Sequence, residues 1–414
     1  MLKQPTKIAI ICLLFNLGFG HCVQADDSWT QWRGPNRDGT TKAPAPDQWP
    51  KQLTRVWNIE VGEGHASPLV ADSNVFVFTR QGNSEVALCL DLRTGKTIWK
   101  QQYDAPYTMN SAARQHGKGP KSTPVFFAGK LYTFGISGIL SCFDAKNGDL
   151  KWRNDFSKQF GGALPLYGTA MSPMVSNGIL IVHVGGHDNG SLKTFDAETG
   201  KEKWSWSEDG PAYTSPIVAT FDGIDQIITQ TQNKCVSLAL NTGNLLWQLT
   251  YTTAWDQNSV TPIVYGDSII FSGLKNGTHA YRPIRDGDSW TIEQAWHNKD
   301  ESMYMSSPII TDNLLIGFAH TQKGHFFCLN LENGQSLWQS EGRQSDNAAI
   351  INTNNGLLAQ KTDGEIIIFE KNAESFNPIA QYQVANSPTW AHPALIANHL
   401  ITKDLSNLTF WRLH

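Results

Sequence analysis

The side chains of this chain that could act in acid–base catalysis or bind a metal are carboxylates and histidines. Their spacing in the sequence matches no known catalytic or metal-binding motif. Five acidic residues fall in the longer interstrand segments and are candidates for acid–base work, namely Glu63, Asp188, Asp256, Glu301 and Asp346. The histidines that could ligate a metal are His65, His116, His187, His320, His325 and His392. None of them has the paired spacing of a zinc motif, and the chain contains no G-x-S-x-G, H-E-x-x-H or G-x-x-x-x-G-K-[ST] sequence. The sequence therefore predicts no metal site and identifies no catalytic residue.

The elements that must position these residues come from one repeated unit. The segment from Ser122 to Trp152 predicts four short strands, with turns at Gly129-Lys130, Ser137-Gly138 and Asn147-Gly148. A single four-stranded sheet cannot bury both of its faces, so it must stack against copies of itself. The unit therefore predicts a ring of similar sheets.

Eight copies of the unit can be counted along the chain. First strands are predicted to begin near residues 68, 124, 173, 216, 262, 308, 348 and 393. Fourth strands are predicted to end at Trp57, Trp99, Trp152, Trp204, Trp247, Trp296, Trp338 and Tyr382. The two counts match only if the N-terminal strand completes the C-terminal sheet. The predicted fold is all-β, an eight-bladed β-propeller of four-stranded antiparallel blades, closed by pairing of the N-terminal strand with the C-terminal blade.

The seven tryptophans of this pattern are predicted to be structural. An indole ring packed between adjacent blades buries a large apolar area, and its N–H can donate to a backbone carbonyl of the next blade. Trp57, Trp99, Trp152, Trp204, Trp247, Trp296 and Trp338 are therefore expected to dock blades and not to hold a cofactor.

The N-terminal 25 residues are typical of an export signal. Lys3 and Lys7 precede an apolar stretch over residues 8–19, and a small-residue cleavage site ends at Ala25. The alternative is a lipoprotein acylated on Cys22. Both readings place the mature protein outside the cytoplasm, periplasmic or secreted. Membrane association is expected only through such a lipid or through a partner.

Residues 26–53 form an arm that is not a blade, and residues 54–414 form the propeller. The arm carries the sequence WRGPNRDG over residues 32–39 and a Pro-rich run. Its tryptophans predict that it is pinned to the ring. Packing on the outside of the ring is the expectation, and a ligand-binding role for Arg33 or Arg37 is the alternative.

The overall charge excludes one class of partner. The formal net charge is −4 and the isoelectric point is near 6.3, so the chain has no basic stripe for nucleic acid.

Cys89, Cys142 and Cys328 occupy equivalent positions in different blades. Whole sheets separate such positions, so these thiols are expected to be buried and unpaired.

The strand order divides the loops between two faces. First and third turns are short and lie on one face, which we call the turn face. Second turns and the connections between blades are longer and lie on the other, which we call the loop face. Residues just before the first strands should rim a central funnel there, and the candidate ligand-binding residues are His65, Tyr213, Trp255, Gln257, Tyr304, Asn347 and Trp390. The insertion at 107–121 adds Arg114 and other basic residues, either as a flap for an acidic ligand or as a solvated loop.

The repeat Asp-Ala-x-x-Gly-x-x-x-Trp, as in residues 144–152 and 196–204, resembles the repeat of the pyrroloquinoline-quinone (PQQ) propeller superfamily over nearly the whole mature chain. The arm is similar to the opening of exported bacterial PQQ-like repeat proteins. That superfamily includes calcium-dependent quinoprotein alcohol dehydrogenases and a non-enzymatic scaffold of the outer-membrane assembly machine. The dehydrogenases carry an adjacent Cys-Cys pair, which this chain lacks, and the chain has no haem attachment motif.

Two functional classes follow. The first is an exported non-catalytic binding or scaffold propeller that recognises a protein, peptide or glycan through its funnel, with no cofactor. The second is a PQQ-dependent alcohol or sugar oxidoreductase that uses PQQ with Ca²⁺. The absent Cys-Cys pair favours the first, and fold alone does not decide between them.

Overall fold

Residues 28–160 and 164–414 are described by the computed structural model, and within them thirty-two strands form eight four-stranded antiparallel sheets. The predicted eight-bladed propeller is confirmed. The predicted signal peptide, its cleavage after Ala25 and the alternative lipid site at Cys22 lie outside the described residues. No helix within them is both long enough and apolar enough to span a bilayer.

The blades follow one another along the chain, each from an inner first strand to an outer fourth strand. Blade 1 comprises β2 (Leu69–Ala71), β3 (Asn74–Gln81), β4 (Ser84–Asp91) and β5 (Thr97–Asp104). Blade 2 comprises β6 (Val125–Phe127), β7 (Lys130–Phe134), β8 (Ile139–Asp144) and β9 (Leu150–Asp155). Blade 3 comprises β10 (Met174–Ser176), β11 (Ile179–Gly186), β12 (Asn189–Asp196) and β13 (Glu202–Trp206). Blade 4 comprises β14 (Ile217–Phe221), β15 (Ile224–Gln230), β16 (Lys234–Ala239) and β17 (Leu245–Thr250).

The second half of the ring repeats this order. Blade 5 comprises β18 (Ile263–Tyr265), β19 (Ser268–Ser272), β20 (Thr278–Asp286) and β21 (Ser289–Asn298). Blade 6 comprises β22 (Ile309–Thr311), β23 (Leu314–Ala319), β24 (His325–Asn330) and β25 (Ser336–Gln339). Blade 7 comprises β26 (Ala348–Thr353), β27 (Gly356–Lys361), β28 (Glu365–Phe369) and β29 (Pro378–Gln383). Short 3-10 helices at Ser111–His116, Ala254–Asp256 and Thr321–Lys323 lie in the loops.

Blade 8 is assembled from both ends of the described chain. Its strands are β30 (Ala394–Ile396), β31 (His399–Lys403), β32 (Asn407–Arg412) and the N-terminal β1 (Thr54–Glu60). The register pairs Thr54 with Arg412 and Glu60 with Asn407. Because β1 covers the free edge of β32, the ring closes without an unpaired strand at this seam.

The fourth strands extend further than expected. They continue past the repeat tryptophan, for example to Asp104 after Trp99 and to Asp155 after Trp152. A bulge beside the residue cross-strand to each tryptophan, such as Cys142 opposite Trp152, shifts the register there without ending the strand.

The repeat tryptophans bridge neighbouring blades. Trp152 donates from its indole N–H to the carbonyl of Ala197 in blade 3 at 3.1 Å, and a Cβ on Gly200 would lie 2.5 Å from its ring. Trp57, Trp99, Trp204, Trp296 and Trp338 donate in the same way to carbonyls of the next blade. Trp247 differs, because it donates to the side chain of Gln226 in its own blade at 3.2 Å. Tyr382 takes the eighth position and donates to the carbonyl of Pro50 in the arm.

Hydroxyl side chains link the blades near the axis. The residue before each first-strand proline is Ser or Thr in several blades, and its side chain accepts from a backbone N–H of the preceding blade. Thr123 accepts from the N–H of Ser67, and Ser172 accepts from the N–H of Thr123, each at 3.0 Å. Ser215 accepts from the N–H of Ser172 at 2.9 Å. These bonds hold the first strands around the channel, where the candidate site lies.

The arm lies inside the ring and not on its outside, so the expected outer position is wrong. Trp29 forms a β-bridge with Val70 of blade 1, and Phe126 of blade 2 donates to the carbonyl of Thr30. Further along, the arm contacts the first strands or the residues leading into them in blades 3, 5, 6, 7 and 8. First strands surround the axis, so the arm fills the channel. It leaves on the turn face, where Asn355 donates to the carbonyl of Pro46.

Candidate functional site

A cavity with an empty volume of about 1090 Å³ opens at the loop face above the arm. Residues leading into the first strands form its wall, and the arm forms its floor. The lining residues that carry polar or aromatic groups are Trp32, Arg33, His65, His116, Lys121, Tyr167, Ser172, Tyr213, Ser215, Gln257, Ser259, Thr261, Tyr304, Ser306, Ser307, Asn347, Trp390 and His392.

The floor depends on two arginines held in the left-handed backbone region. Arg33 has φ 61° and Arg37 has φ 60°, which is uncommon for residues with a Cβ. Arg37 donates to the carbonyls of Ser172 and Pro173, whereas Arg33 donates to the carbonyls of Asp38 and Pro308. These bonds offset the strain and fix the arm between blades 3 and 6.

Two glycines of the arm permit this close packing. Gly34 has φ 83°, and a Cβ there would lie 3.1 Å from the ring of Trp29. Gly39 has φ 77°, and a Cβ there would lie 2.7 Å from Ile309 and 2.9 Å from the carbonyl oxygen of Ile350. Only glycine combines the positive φ with this approach. The WRGPNRDG sequence therefore determines how the arm packs in the channel.

Trp29 and Trp32 anchor the floor against blade 8. The ring of His392 stacks on Trp29 at 5.7 Å between centroids and meets Trp32 edge-on at 5.6 Å. The Trp32 indole N–H also donates to Thr261 Oγ1 at 3.2 Å. Burial first, and then the positive charge of Arg33, lowers the pKa of His392 to about 4. This histidine is therefore neutral in the folded protein at neutral pH.

The wall above the floor is aromatic. Trp390 lies 4.9 Å from His116, His116 lies 5.6 Å from Tyr167, and Tyr167 lies 5.7 Å from Tyr213, measured between ring centroids. On the far side, the hydroxyl of Tyr304 donates to Gln257 Oε1. Edge-to-face contacts of this kind hold the rings in fixed orientations, so the wall is preformed.

The charged groups of the cavity are cationic. Burial lowers the pKa of Arg33 to about 10, with Asp38 opposing the shift, and lowers the pKa of Lys121 to about 8. Burial, followed by repulsion from Lys121 and Lys403, lowers the pKa of His65 well below its ordinary value. No Asp or Glu occurs among the lining residues of the described chain.

Six of the residues expected in the funnel are brought together there, namely His65, Tyr213, Gln257, Tyr304, Asn347 and Trp390. Two are not. Trp255 is 78% exposed and is not among the lining residues, and it sits on a turn with φ 66°. Arg114 is also exposed and outside the lining, since its 3-10 helix buries Ala113 and His116 on the opposite side. The structure therefore does not place these two side chains in the cavity lining, and a ligand-binding role for any of the eight residues stays a prediction.

Sequence reasoning missed the contributions of Trp32 and Tyr167 and preferred the outer position for Arg33. The signal that could have indicated the floor was the pair of arginines flanked by glycines in a Trp-rich arm. An arginine that directly follows tryptophans in a packed segment can be buried where its guanidinium donates to backbone carbonyls.

The candidate acids do not line the cavity. Glu301 is fully buried in the loop before blade 6, where it accepts from Gln339 and pairs with His325 Nε2 at 3.0 Å. Asp256 lies 3.8 Å from His187 at the partly exposed rim. Within the described residues, no group of three or more His, Cys, Asp or Glu side chains could hold a metal ion. Cys89, Cys142, Cys235 and Cys328 are buried free thiols.

PQQ with Ca²⁺ is the cofactor that the resemblance implies, and the donor set does not fit that pair. Calcium prefers six to eight oxygen ligands with carboxylates among them. The cavity offers hydroxyls and two amides, from Gln257 and Asn347, together with the cations Arg33 and Lys121. The lining residues therefore do not supply the carboxylates that a calcium site for this cofactor requires.

Three comparisons place the chain among known proteins. The family model described as outer membrane protein assembly factor BamB matches residues 82–340. The outer membrane protein assembly factor BamB of Yersinia pestis is 23% identical over 377 residues, which cover 86% of this chain and 88% of that protein. The dehydrogenase subunit of the quinone-dependent alcohol dehydrogenase of Gluconacetobacter polyoxogenes is 24% identical over 416 residues, which cover 91% of this chain. The chain spans only 52% of that dehydrogenase.

A solved structure shows the same fold. The quinohemoprotein alcohol dehydrogenase ADHIIG from Pseudomonas putida superimposes with a TM-score of 0.70 and 15% identity, over 94% of this chain and 80% of that one. At this identity the likeness shows the propeller alone. The alignments therefore support a PQQ-like propeller without distinguishing scaffolds from dehydrogenases.

Proposed function

The chain belongs to the family described as outer membrane protein assembly factor BamB, and from this premise we propose that it is an exported, non-catalytic scaffold propeller that binds a protein partner through its loop face. The family match spans well over half of the chain, and the similar Yersinia pestis protein is matched over 88% of its length. The family description points to a protein partner in outer-membrane assembly. A peptide or glycan ligand at the same face is the alternative.

The observation that carries the proposal is the exposed Trp255 beside a preformed cavity. Trp255 is 78% exposed, and Gln257, two residues on, lines the cavity wall. Trp255 and Asp256 both have positive φ, so the turn holds the indole outward in a strained conformation. Exposed tryptophans carry a large share of binding energy where protein interfaces form. The loop face thus supplies an aromatic contact next to a concave surface.

The floor supports the same reading. Because the arm closes the channel, a ligand reaches the cavity from the loop face, whereas the turn face carries the short turns. Exposed loops on a rigid scaffold are the usual places for recognition. Export places that face outside the cytoplasm. A lipid at Cys22, or the partner itself, would supply any membrane attachment.

Site-specific photocrosslinking in cells tests the proposal. A photoreactive amino acid at Trp255 should crosslink a distinct protein in the cell envelope. The same group at Leu150, which is 49% exposed near the turn face, is the matched control and should not crosslink that protein. Equal crosslinking at both positions, or none at Trp255, would overturn the proposal.

An activity assay tests the alternative class. The quinoprotein reading predicts dye reduction with primary alcohols or aldose sugars when PQQ and Ca²⁺ are added to the purified protein. We expect no turnover, because the cavity lining offers no carboxylate to hold the calcium ion or to act as a base. Sustained turnover that is lost on Asp256→Asn or Asp346→Asn would instead support an oxidoreductase.

A further inference from the structure

The cavity buries positive charge without a negative partner. Arg33 is 1% exposed and lines the floor, yet its Nε and Nη1 atoms have no hydrogen-bond partner. Arg33 forms no ion pair within the described residues. A buried guanidinium with two unpartnered nitrogen atoms, which carry three N–H groups, is costly, because each lost water contact should be replaced by an acceptor. The floor therefore has unused capacity to bind an acceptor.

The acidic residue nearest in sequence does not use this capacity. Asp38 attracts Arg33 electrostatically, but Arg33 Nη2 donates to the backbone carbonyl of Asp38 at 3.0 Å. The carboxylate of Asp38 instead accepts from the backbone N–H of Thr40 at 2.8 Å. Arg37 adds a further positive charge near Arg33. Burial first, and then repulsion from Arg33, lowers the pKa of Arg37. Of the charged residues of the arm, Arg33 lines the cavity.

A second cation stands on the wall. Lys121 is the last residue of the flap at 107–121. Its ammonium group donates a long hydrogen bond of 3.5 Å to the carbonyl of Gly117. His65 lies on the same wall, and its Nε2 atom is buried without a partner. The floor and the wall therefore offer separate N–H donors to the same space.

The aromatic wall determines what else the ligand must carry. Trp390 and Tyr213 flank the space above the floor, so an anionic group bound there would be attached to an apolar or aromatic chain. His392 is held neutral, and burial also lowers the pKa of His65. The available positive charge is then two at most, one on the floor and one on the wall, so the cavity offers one cationic donor to each oxygen of a carboxylate.

We propose that this cavity binds a carboxylate carried by a segment of the protein partner, with Arg33 and Lys121 as its charged donors and Trp390 and Tyr213 flanking the attached chain. The inference rests on the proposed scaffold function. Charge-assisted hydrogen bonds to arginine and lysine are the usual means of holding such a group. The carboxylate comes either from the partner's C-terminus or from an Asp or Glu side chain.

Peptide probes distinguish these sources. Isothermal titration would compare acetyl-Ala-Ala-Ala-Tyr as the free acid, the same peptide as its C-terminal amide, acetyl-Ala-Ala-Glu-Tyr-amide, and a phosphoserine-containing amide. We expect one or both carboxylate peptides to bind about tenfold or more tightly than the neutral amide. The free acid binds best if the source is a C-terminus, and the Glu peptide binds best if it is a side chain. Equal binding of the neutral amide, or tightest binding of the phosphopeptide, would overturn the inference.

Variants assign the donors. Lys121→Met should weaken binding of the preferred peptide about tenfold, whereas Lys118→Met should leave it within about twofold, because Lys118 is an exposed lysine of the same flap outside the lining. Arg33→Met should abolish binding, provided that its circular dichroism and melting temperature show a folded protein. Equal effects of Lys121→Met and Lys118→Met would contradict the assignment, and this pair does not depend on the folding of the Arg33 variant.

Failure of this inference can be separated from failure of the scaffold proposal. If the Trp255 crosslink forms equally well in Lys121→Met and the carboxylate probes do not bind, the carboxylate site is wrong while the scaffold proposal stands. If the probes bind as expected but no crosslink forms at Trp255, the cavity binds a carboxylate and the scaffold proposal is wrong.

Discussion

Arg37 Nη2 donates a 3.0 Å hydrogen bond to the carbonyl oxygen of Ser172, and this bond links the N-terminal arm to the start of blade 3 across 135 residues of sequence. Arg37 Nη1 donates to the neighbouring carbonyl of Pro173 at 2.9 Å and to Gln31 Oε1 at 3.1 Å. The residue is 2% exposed. The Arg37 guanidinium thus donates to two carbonyls that face the channel and holds the arm in place.

Loss of this guanidinium should destabilise the fold. Arg37→Met leaves the carbonyls of Ser172 and Pro173 buried without donors, which outweighs the relief of repulsion from Arg33. We expect the free energy of unfolding to fall by about 2 kcal/mol. Denaturant titration measures the change. Asn36→Ala, at an exposed position of the same arm, should change the free energy by less than about 0.5 kcal/mol. A similar loss for both would show that the arm's packing does not depend on Arg37.

The blade-docking positions give a second prediction. Trp152→Ala removes an indole that packs against Gly200 and donates to the carbonyl of Ala197. The resulting cavity between blades 2 and 3 should cost about 3 to 5 kcal/mol of unfolding free energy. Trp255→Ala removes an indole that is 78% exposed, so its cost should be below about 1 kcal/mol. Equal midpoints for the two variants in urea would contradict the docking role.

Alanine substitutions at two glycines with the same backbone conformation measure the effect of the contact with the tryptophan ring. Gly200 has φ 70° and a Cβ there would lie 2.5 Å from Trp152, whereas Gly178 has φ 74° and open space around its Cβ position. Both alanine variants bear the left-handed backbone cost of about 1 kcal/mol. Gly200→Ala should lose about 1 to 3 kcal/mol more, because the ring must move. Melting temperatures that are lowered equally would show that the ring accommodates the methyl group freely.

The ring could be predicted from the sequence because its signals are local and repeated. Six blades mark the first strand with Ser-Pro or Thr-Pro, and seven of the eight fourth strands carry the repeat Trp. The physical requirement to close the sheet edge then assigns β1 to blade 8. Turn glycines such as Gly148 and Gly200 fix the strand register within each unit. A pattern that occurs many times can be read even where one copy is degenerate, as at Tyr382.

The floor of the cavity could not be predicted in the same way. The arm occurs once, and its contacts reach across the whole sequence, as from Trp32 to Thr261 over 229 residues. No periodicity encodes such pairs. The positions of His65 and Trp390 in the lining follow from their place just before first strands. Trp255 lies outside the lining, on a turn in which it and Asp256 have positive φ. Backbone conformation at a single loop residue is not visible in hydrophobic patterning.

The remaining prediction concerns the pH dependence of carboxylate binding. Burial lowers the pKa of Lys121 to about 8, so the ammonium is protonated below that pH and loses its charge as the pH rises through it. Only the charged form donates strongly to a carboxylate. Affinity for the preferred peptide should therefore be highest below pH 8 and decline between about pH 7 and pH 9. Binding near pH 8 should also take up a fraction of a proton, because the bound anion raises the pKa of Lys121.

Other titrating groups around Lys121 set the controls for this measurement. His65 and His116 face it from the wall and the flap, and because burial lowers the pKa of both, they titrate below the tested range. Lys403, which donates to the carbonyl of Gly64 behind His65, has a pKa lowered by burial to about 7 and contributes a smaller, earlier decline. In Lys121→Met the decline around pH 8 should disappear and only the part due to Lys403 should remain. Titration calorimetry from pH 6.5 to 9.5, repeated in buffers with different ionisation enthalpies, measures both the affinity and the proton uptake. A decline centred on pH 8 that persists in Lys121→Met would show that another group carries the charge that the carboxylate requires.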